Sequence, residues 1–298
     1  MERYERNGLC EYLKECDSPH EIRFYDTTKS LLVVARKKDN MPIMLIIDDR
    51  VSREEYGREL DFYEENFGKM CFWIANKAKI PLFWIRYEDR EILRNEDTVS
   101  FLESNGNHSF VSIRLGELPR IFSRYRISAD LENRTPQKRK NDSLSSAFHI
   151  WQRECLRVGV FADIDLIRLS KDHRNIIEIM ELKRSFYSLE QWRPFYFDLN
   201  NFAILANLCR MLGGIPFYLL YNQQVRMDEC VIRKGEGKYY RPMEKWGESF
   251  YDKVDVLKVF QVEMMENVYF YDLPYPRLLG TIKVDDWIRG EVRYRPLF

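Results

Sequence analysis

The stretch FADIDLIRL at residues 161–169, followed by IIEIMELKRS at residues 176–185, decides the fold class of this chain. Both are apolar runs rich in β-branched residues, typical of strands that are buried on both faces in a sheet covered by helices. An amphipathic stretch at 198–212 predicts a helix after them, and PFYLLY at 216–221 predicts a further buried strand. This order predicts an α/β fold in which helices flank a mixed sheet.

Charged residues interrupt both strands. Asp163 and Asp165 lie two positions apart on the first strand, and Glu181 and Lys183 lie two apart on the second, so each pair shares one face. Desolvating such charges costs several kcal/mol unless they pair or bind an ion. The pattern therefore predicts a pocket in which carboxylates meet one ammonium group. The plain alternative is an ion pair between Glu181 and Lys183 at the end of a strand.

Two converging carboxylates form a hard-oxygen site suited to Mg²⁺, and the backbone carbonyl of Leu182 can supply a third oxygen. A lysine beside them is placed to hold a phosphate or to orient an attacking water. These are the requirements of metal-assisted phosphodiester hydrolysis.

Asp165, followed sixteen positions later by Glu181-Leu182-Lys183, resembles the PD-(D/E)xK nuclease motif. The resemblance covers about residues 143–225 and implies a restriction-endonuclease-like mixed sheet. The family core runs helix, three-strand meander, helix, strand. It would map onto a helix at 143–156, a meander through 160–183, and the helix and strand that follow.

The resemblance also implies roles for one set of residues: Asp165, Glu181 and the backbone carbonyl of Leu182 as metal ligands, and Lys183 as the catalytic lysine. Mg²⁺ is the implied cofactor, and Mn²⁺ can substitute. Asp163 is a secondary metal candidate because it shares a face with Asp165. Glu154 is another, since family members often add a glutamate from the first core helix.

A polar, Pro-containing segment at 126–146 predicts a linker, and we place a domain boundary near residue 134, giving domains 1–133 and 134–298. The first side repeats the order of the second, with strands at 31–36, 42–48 and 81–87 and a helix at 60–79. Ile80-Pro81 and Ile215-Pro216 are 135 positions apart. Two tandem units of one fold are therefore one interpretation, and a generic α/β pattern is the other.

The first side lacks the catalytic set. In the 135-position register Ile46 and Asp48 stand where Glu181 and Lys183 stand, and a two-residue shift instead aligns 48–50, Asp-Asp-Arg. Arginine stays protonated and cannot act as a tunable base. Residues 1–133 are thus either a degenerate nuclease-like copy or an unrelated α/β domain.

Basic residues flank the motif, and five of them are the nucleic-acid-binding candidates: Lys138, Arg139, Lys140, Arg184 and Arg193. Trp192, Phe195 and Tyr196 are interleaved with the last two. Basic side chains beside exposed aromatic rings suit a nucleic-acid backbone and unstacked bases. A solvated loop over a core aromatic cluster is the alternative.

The composition sets outer limits. Lys plus Arg and Asp plus Glu both number 47, and this balance argues against binding of polyanions through charged tails. The six cysteines form no CxxC pair, which predicts a reducing, intracellular setting without a zinc site. Neither a secretory signal nor a membrane-spanning stretch is expected from the sequence.

We therefore expect a Mg²⁺-dependent endonuclease that hydrolyses phosphodiester bonds, with DNA favoured over RNA. The alternatives are a catalytically inactive nuclease-fold protein that binds nucleic acid or joins an assembly, and an RNA-directed nuclease. A single active centre per chain would favour a homodimer or an assembly with other subunits for double-strand cutting.

Overall fold

The computed structural model describes a mixed α/β protein with two mixed sheets. It describes residues 9, 12, 16, 22–24, 29–56, 66–104, 109–134, 136, 146–170, 175–226, 239–245, 248–265, 273–291 and 293–296. Two compact units result: a continuous unit, Tyr25–Asp163, and a split unit formed by Met1–Phe24 and Ile164–Phe298. In the described part of the chain, no helix is long and apolar enough to cross a membrane.

The strands, in chain order, are β1 (Ile22–Phe24), β2 (Lys29–Ala35), β3 (Pro42–Val51), β4 (Leu82–Glu88), β5 (Thr98–Glu103), β6 (Val111–Arg114), β7 (Asp130–Leu131), β8 (Leu156–Arg157), β9 (Val160–Asp163), β10 (Leu166–Leu169), β11 (Ile176–Ser185), β12 (Phe217–Arg226), β13 (Tyr239–Lys245), β14 (Glu248–Met265) and β15 (Leu273–Lys283). The α-helices are α1 (Arg53–Tyr56), α2 (Asn66–Ala78), α3 (Leu118–Ser123), α4 (Ala147–Cys155), α5 (Leu199–Met211) and α6 (Val284–Ile288). Short 3-10 turns at Leu115–Glu117 and Tyr196–Asp198 precede α3 and α5.

The continuous unit is built on a six-stranded sheet with the order β6-β5-β4-β3-β2-β9. β3 and β4 are parallel, and α2 lies between them in the chain, as the return between parallel strands requires. All other pairs in this sheet are antiparallel. β7 and β8 form a separate two-stranded ladder.

The split unit is built on a seven-stranded sheet with the order β1-β10-β11-β12-β14-β13, and β15 also pairs with β14. β11 and β12 are parallel, and α5 lies between them in the chain. The other pairs are antiparallel.

The two sheets share one pairing pattern. From the edge strand inward, each runs antiparallel, antiparallel, parallel, antiparallel: β1-β10-β11-β12-β14 in one and β9-β2-β3-β4-β5 in the other. In both, the parallel pair is joined through a 13-residue helix. The two halves therefore share the same order of strand pairing, which is the pattern that the tandem interpretation of the sequence requires.

The edge strands are exchanged between the repeats. β1 precedes β2 in the chain but pairs with β10, whereas β9 precedes β10 but pairs with β2. The helical residues upstream behave in the same way. Leu9 and Tyr12 are buried with Leu166 in the core of the split unit, and α4 is buried in the core of the continuous unit. In each repeat, the helical residues and the first strand thus belong to the unit formed by the other repeat.

The local sequence explains why α4 and β9 belong to the continuous unit. Phe148, Trp151 and Cys155 of α4 are fully buried against apolar residues of β2, β3 and β4. Gly159 then precedes β9 at φ +128°, and a Cβ on it would lie 2.3 Å from the carbonyl oxygen of Ala35. Only glycine permits this backbone approach to β2.

The exchange moves the boundary that the sequence indicates. The sequence places this boundary near residue 134, whereas the compact units divide after Phe24 and after Asp163. The helix at 143–156 and the first strand of the meander at 160–183 belong to the continuous unit, because their apolar faces complete its core and sheet edge. The antiparallel meander of the split unit is β1, β10 and β11.

We expect residues 25–163, expressed alone, to fold cooperatively, whereas 1–133 should not. The shorter fragment lacks α4 and β9, so the core around Phe148 and Trp151 is lost and β2 becomes an open edge. Thermal unfolding followed by circular dichroism, with amide dispersion in NMR spectra, measures this. A cooperative transition in 1–133 would contradict the division, and the full chain serves as the reference.

Candidate functional site

Two neighbouring strands of the split unit bring the predicted motif together. Leu166 pairs with Met180, and this register places Asp165, one residue earlier, across from Glu181. The backbone N–H of Leu182 donates a hydrogen bond of 2.7 Å to Oδ2 of Asp165. The carboxylate of Asp165 is therefore held against β11 beside the Glu-Leu-Lys segment.

Glu181 and Lys183 lie on one face of β11, next to the start of α5. Nζ of Lys183 is 3.0 Å from Oε1 of Glu181 and 3.6 Å from Oδ1 of Asp198, the residue immediately before α5. It also lies 5.6 Å from the ring centroid of Phe202 on α5. Glu181 is only 4% exposed, so this ion pair is largely removed from water.

The charges around Lys183 decide its protonation state. Burial alone would lower the pKa of this ammonium group, but the carboxylates of Glu181, Asp198 and Asp165 outweigh burial and raise the pKa above its usual value. Lys183 therefore keeps its proton at neutral pH. A fixed cation of this kind is suited to bind an anionic oxygen rather than to accept a proton.

The donor set around Asp165 is compatible with a hard divalent cation. Two carboxylates, from Asp165 and Glu181, and the carbonyl of Leu182 are oxygen donors of the kind that Mg²⁺ takes. Three carboxylates face the ammonium group of Lys183 when Asp198 is included. Among the described residues, no group of three or more His, Cys, Asp or Glu side chains forms a metal cluster.

The other two metal candidates belong to the continuous unit. Asp163, the last residue of β9, is exposed, and Glu154 lies on α4; both belong to the continuous unit. The register thus distinguishes the two aspartates, because Asp165 is the one bonded to β11. Glu154 belongs to a helix that packs into a different core from the one beneath Glu181.

The five basic candidates differ in their surroundings. Lys138, Arg139 and Lys140 lie outside the described residues. Arg184 is partly buried and its guanidinium lies 3.2 Å from Asp252, so it is engaged within the sheet. Arg193 is exposed, although it donates hydrogen bonds to carbonyl oxygens of its own loop.

At the equivalent described positions of the continuous unit, Glu181 and Lys183 are not repeated. Trp84 and Leu219 stand at the same distance after the Ile-Pro pairs, and they pair with Ile47 and Glu181 respectively. Ile47 thus occupies the position of Glu181. The same comparison, two residues further on, places Asp49 at the position of Lys183.

The charge at this equivalent position is reversed. Asp49 is fully buried, with Nζ of Lys29 at 4.0 Å and Nε of Arg86 at 3.6 Å, and it accepts a 3.0 Å hydrogen bond from the indole of Trp84. One carboxylate between two cations has no excess negative charge for a metal ion. The register is one residue from the strict 135-position alignment and one from the two-residue shift that the sequence suggested.

Sequence reasoning missed Asp198 and Lys258. Asp198 stands at the N-cap position of α5 but makes no capping hydrogen bond, and its carboxylate turns to Lys183 instead. An aspartate just before an amphipathic helix is normally interpreted as a cap, which hides this role. Lys258 lies on β14, whose register with β12 depends on a bulge that no local pattern specifies.

Lys258 is fully buried beside the loop that follows the motif. Its Nζ donates a 2.8 Å hydrogen bond to the carbonyl oxygen of Trp192 and lies 5.5 Å from the ring centroid of Phe260. Burial, followed by the charge of Arg193, lowers the pKa of Lys258 to about 8. The lysine is therefore close to neutral at mildly alkaline pH.

Comparison with known proteins adds no relative. The chain matches no family model, no curated protein and no solved structure.

We expect Lys258 to make stability depend on pH. Its folded-state pKa of about 8 lies below the value of about 10.4 for a free lysine, so the unfolded chain binds more protons between these values. Stability should rise with pH through this window. Urea unfolding at pH 7.5 and 9.5 measures the rise, which should be smaller in Lys258→Met; an equal rise in both proteins would contradict the assignment.

Proposed function

We propose that the split unit is a Mg²⁺-dependent phosphodiester hydrolase of the PD-(D/E)xK class, acting on nucleic acid and on DNA in the first place. One observation carries the proposal. The hydrogen bond from Leu182 N–H to Asp165 aligns this aspartate with Glu181 and Lys183 across two adjacent strands. A carboxylate pair with an adjacent lysine, held in this way, is the arrangement that the motif predicts.

The topology of the split unit supports a restriction-endonuclease-like fold. Helical residues Leu9 and Tyr12 and strand β1 precede β10 and β11 in the antiparallel meander, and α5 and the parallel strand β12 follow. This is the order helix, three strands, helix, strand. Leu9, Tyr12 and β1 stand where this order requires its first two elements, whereas the sequence pattern points to 143–163 for them.

The residues of the site divide the chemical tasks among them. Asp165, Glu181 and the carbonyl of Leu182 would hold the cation. When bound, Mg²⁺ would offset charge on the scissile phosphate and activate a water molecule. Lys183 stays protonated and is placed to bind a non-bridging phosphate oxygen, where it offsets developing negative charge. Asp198 positions Lys183 through their 3.6 Å contact.

We propose a non-catalytic role for the continuous unit. The positions equivalent to Glu181 and Lys183 are Ile47 and Asp49, and Asp49 is neutralised by Lys29 and Arg86. One catalytic set per chain then means that cutting both strands of a duplex requires either two chains or two successive nicks.

We expect Mg²⁺-dependent cleavage of DNA by the wild type and a loss of at least about 100-fold in Glu181→Gln and Lys183→Met. The first change removes a ligand charge, and the second removes the cation that faces the phosphate. The measurement is the cleavage rate with Mg²⁺, Mn²⁺ or EDTA on four substrates: supercoiled plasmid, linear duplex, single-stranded DNA and structured RNA. The substrate that is cut identifies the substrate class.

Asp163→Asn is the matched control for Asp165→Asn, because both replace an aspartate of one short segment, and only Asp165 bonds to β11. We expect activity to be retained in the first and lost in the second. Cutting that survives Glu181→Gln and Lys183→Met would remove the site assignment. Metal-independent binding without cutting would instead favour a nucleic-acid-binding or assembly protein, and preferential cutting of RNA would favour an RNA-directed nuclease.

A further inference from the structure

Exposed aromatic rings are concentrated in one short segment of the split unit. Between residues 186 and 197, five rings are exposed by close to half or more of their surface: Phe186, Tyr187, Phe195, Tyr196 and Phe197. Tyr196 is 81% exposed and Phe197 is 92% exposed. Elsewhere among the described residues, the exposed large apolar side chains are scattered and mostly aliphatic. A cluster of this kind marks a binding surface.

The segment that carries these rings is held firmly from below. The ring of Trp192 stacks on that of Tyr221, with centroids 4.3 Å apart and planes 4° from parallel. Lys258 donates to the carbonyl oxygens of Trp192 and Glu190 at 2.8 and 3.4 Å. The hydroxyl of Tyr221 donates to the carbonyl oxygen of Ser185 at 3.0 Å. Buried side chains therefore fix the backbone while the rings on it remain in solvent.

The two most exposed rings are joined directly to the candidate catalytic site. Tyr196 and Phe197 form a 3-10 turn with Asp198, and the carboxylate of Asp198 lies 3.6 Å from Nζ of Lys183. The ring centroids of Tyr196 and Phe197 are 6.2 Å apart, and the planes of the two rings meet at 75°. Tyr196 and Phe197 are thus two residues and one residue before the aspartate that contacts Lys183, and they would offer exposed aromatic faces to a ligand held there.

We propose that Tyr196 and Phe197 form a stacking platform for unpaired bases, so that the substrate is nucleic acid with a single-stranded segment at the cleavage site. The inference rests on the proposed function, which places a phosphodiester at Lys183. Bases in a duplex are already stacked on their neighbours and cannot offer a free face to a ring. Unpaired bases can, and stacking on aromatic side chains accepts any base.

The exposed cation beside the rings is consistent with this occupant. Arg193 lies two residues before Phe195, is exposed, and carries a guanidinium that can contact phosphate as well as stack on a base. A docking surface for an apolar protein partner would accept aliphatic side chains equally well, whereas every highly exposed apolar side chain of this segment is aromatic.

The test measures binding apart from cleavage. A fluorescein-labelled single-stranded DNA of about 20 nucleotides and the blunt duplex of the same sequence are titrated by anisotropy in EDTA. We expect the wild type to prefer the single strand. Tyr196→Ala/Phe197→Ala should weaken single-strand binding by about tenfold for each ring, because stacking one base contributes about this factor. Duplex binding should change by less than about threefold, since the basic residues that hold a backbone remain.

Two further variants keep the outcome decisive. Tyr275→Ala removes an exposed tyrosine of β15 and should bind both DNAs as the wild type does. Tyr196→Leu/Phe197→Leu keeps apolar surface but removes the π faces, and it should lose single-strand preference. Single-strand binding that persists in the leucine variant, or an equal loss for both DNAs, would overturn the platform and favour an apolar protein partner for the rings.

The design separates the inference from the function on which it rests. Ring-dependent preference for single strands in a protein that cuts nothing would support the platform while removing the hydrolase. If the wild type and Tyr196→Ala/Phe197→Ala both cut duplex and single-stranded DNA, and neither protein prefers one of the two, the hydrolase would be retained and the platform overturned.

Discussion

The need to cover one open strand edge in each sheet governs the architecture of this protein. Without a further strand, β10 and β2 would each present unpaired backbone groups at the edge of a sheet. β10 is covered by β1, which precedes β2 in the chain, and β2 is covered by β9, which precedes β10. Each of these strands adds a ladder of backbone hydrogen bonds to its sheet and becomes the new edge, and both are short, as edge strands that resist unwanted pairing commonly are. The helical residues upstream follow them, since Leu9 and Tyr12 are buried in the core of the split unit and α4 is buried in that of the continuous unit.

The candidate site depends on this arrangement. Asp165 lies immediately before β10, so the pairing of β10 between β1 and β11 determines where its carboxylate lies. The Leu182 N–H then fixes it, and α5 brings Asp198 to Lys183 from the other side. In the continuous unit the same backbone carries Ile47 and Asp49, and the neighbouring cations neutralise the aspartate. At equivalent positions of the two sheets, an isoleucine thus stands in place of the glutamate and an aspartate in place of the lysine.

The sequence predicted the elements better than their partners. The strands around 31–36, 42–48, 81–87, 176–182 and 216–221 and the helix at 198–212 were found within a few residues, because apolar periodicity is a local signal. The exchange of β1 and β9 is not local. A strand that is preceded by a helix and followed by a turn has the same sequence pattern whichever sheet it joins. Tertiary packing around Trp151 and Gly159 determines that β9 joins the sheet of the continuous unit.

The site shows the same limit. Asp165, Glu181 and Lys183 were identified from spacing on adjacent strands, and the structure brings them together. Asp198 was missed because its partner is determined by how α5 packs, not by its own neighbours in the chain. The motif resemblance favours Asp165 over Asp163 although both share a face of the strand-like segment, and the register adds the hydrogen bond from Leu182 that only the folded chain can show.

The exchanged edge strands also impose an order on synthesis at the ribosome. The continuous unit cannot close until β9 has emerged, because β2 lacks its outer neighbour until then. β1 is made before the continuous unit, yet its partner β10 is made after it, since Ile22 pairs with Arg168. β1 must therefore remain without β10 while the continuous unit is made, and it is in that interval that chaperone protection would matter most.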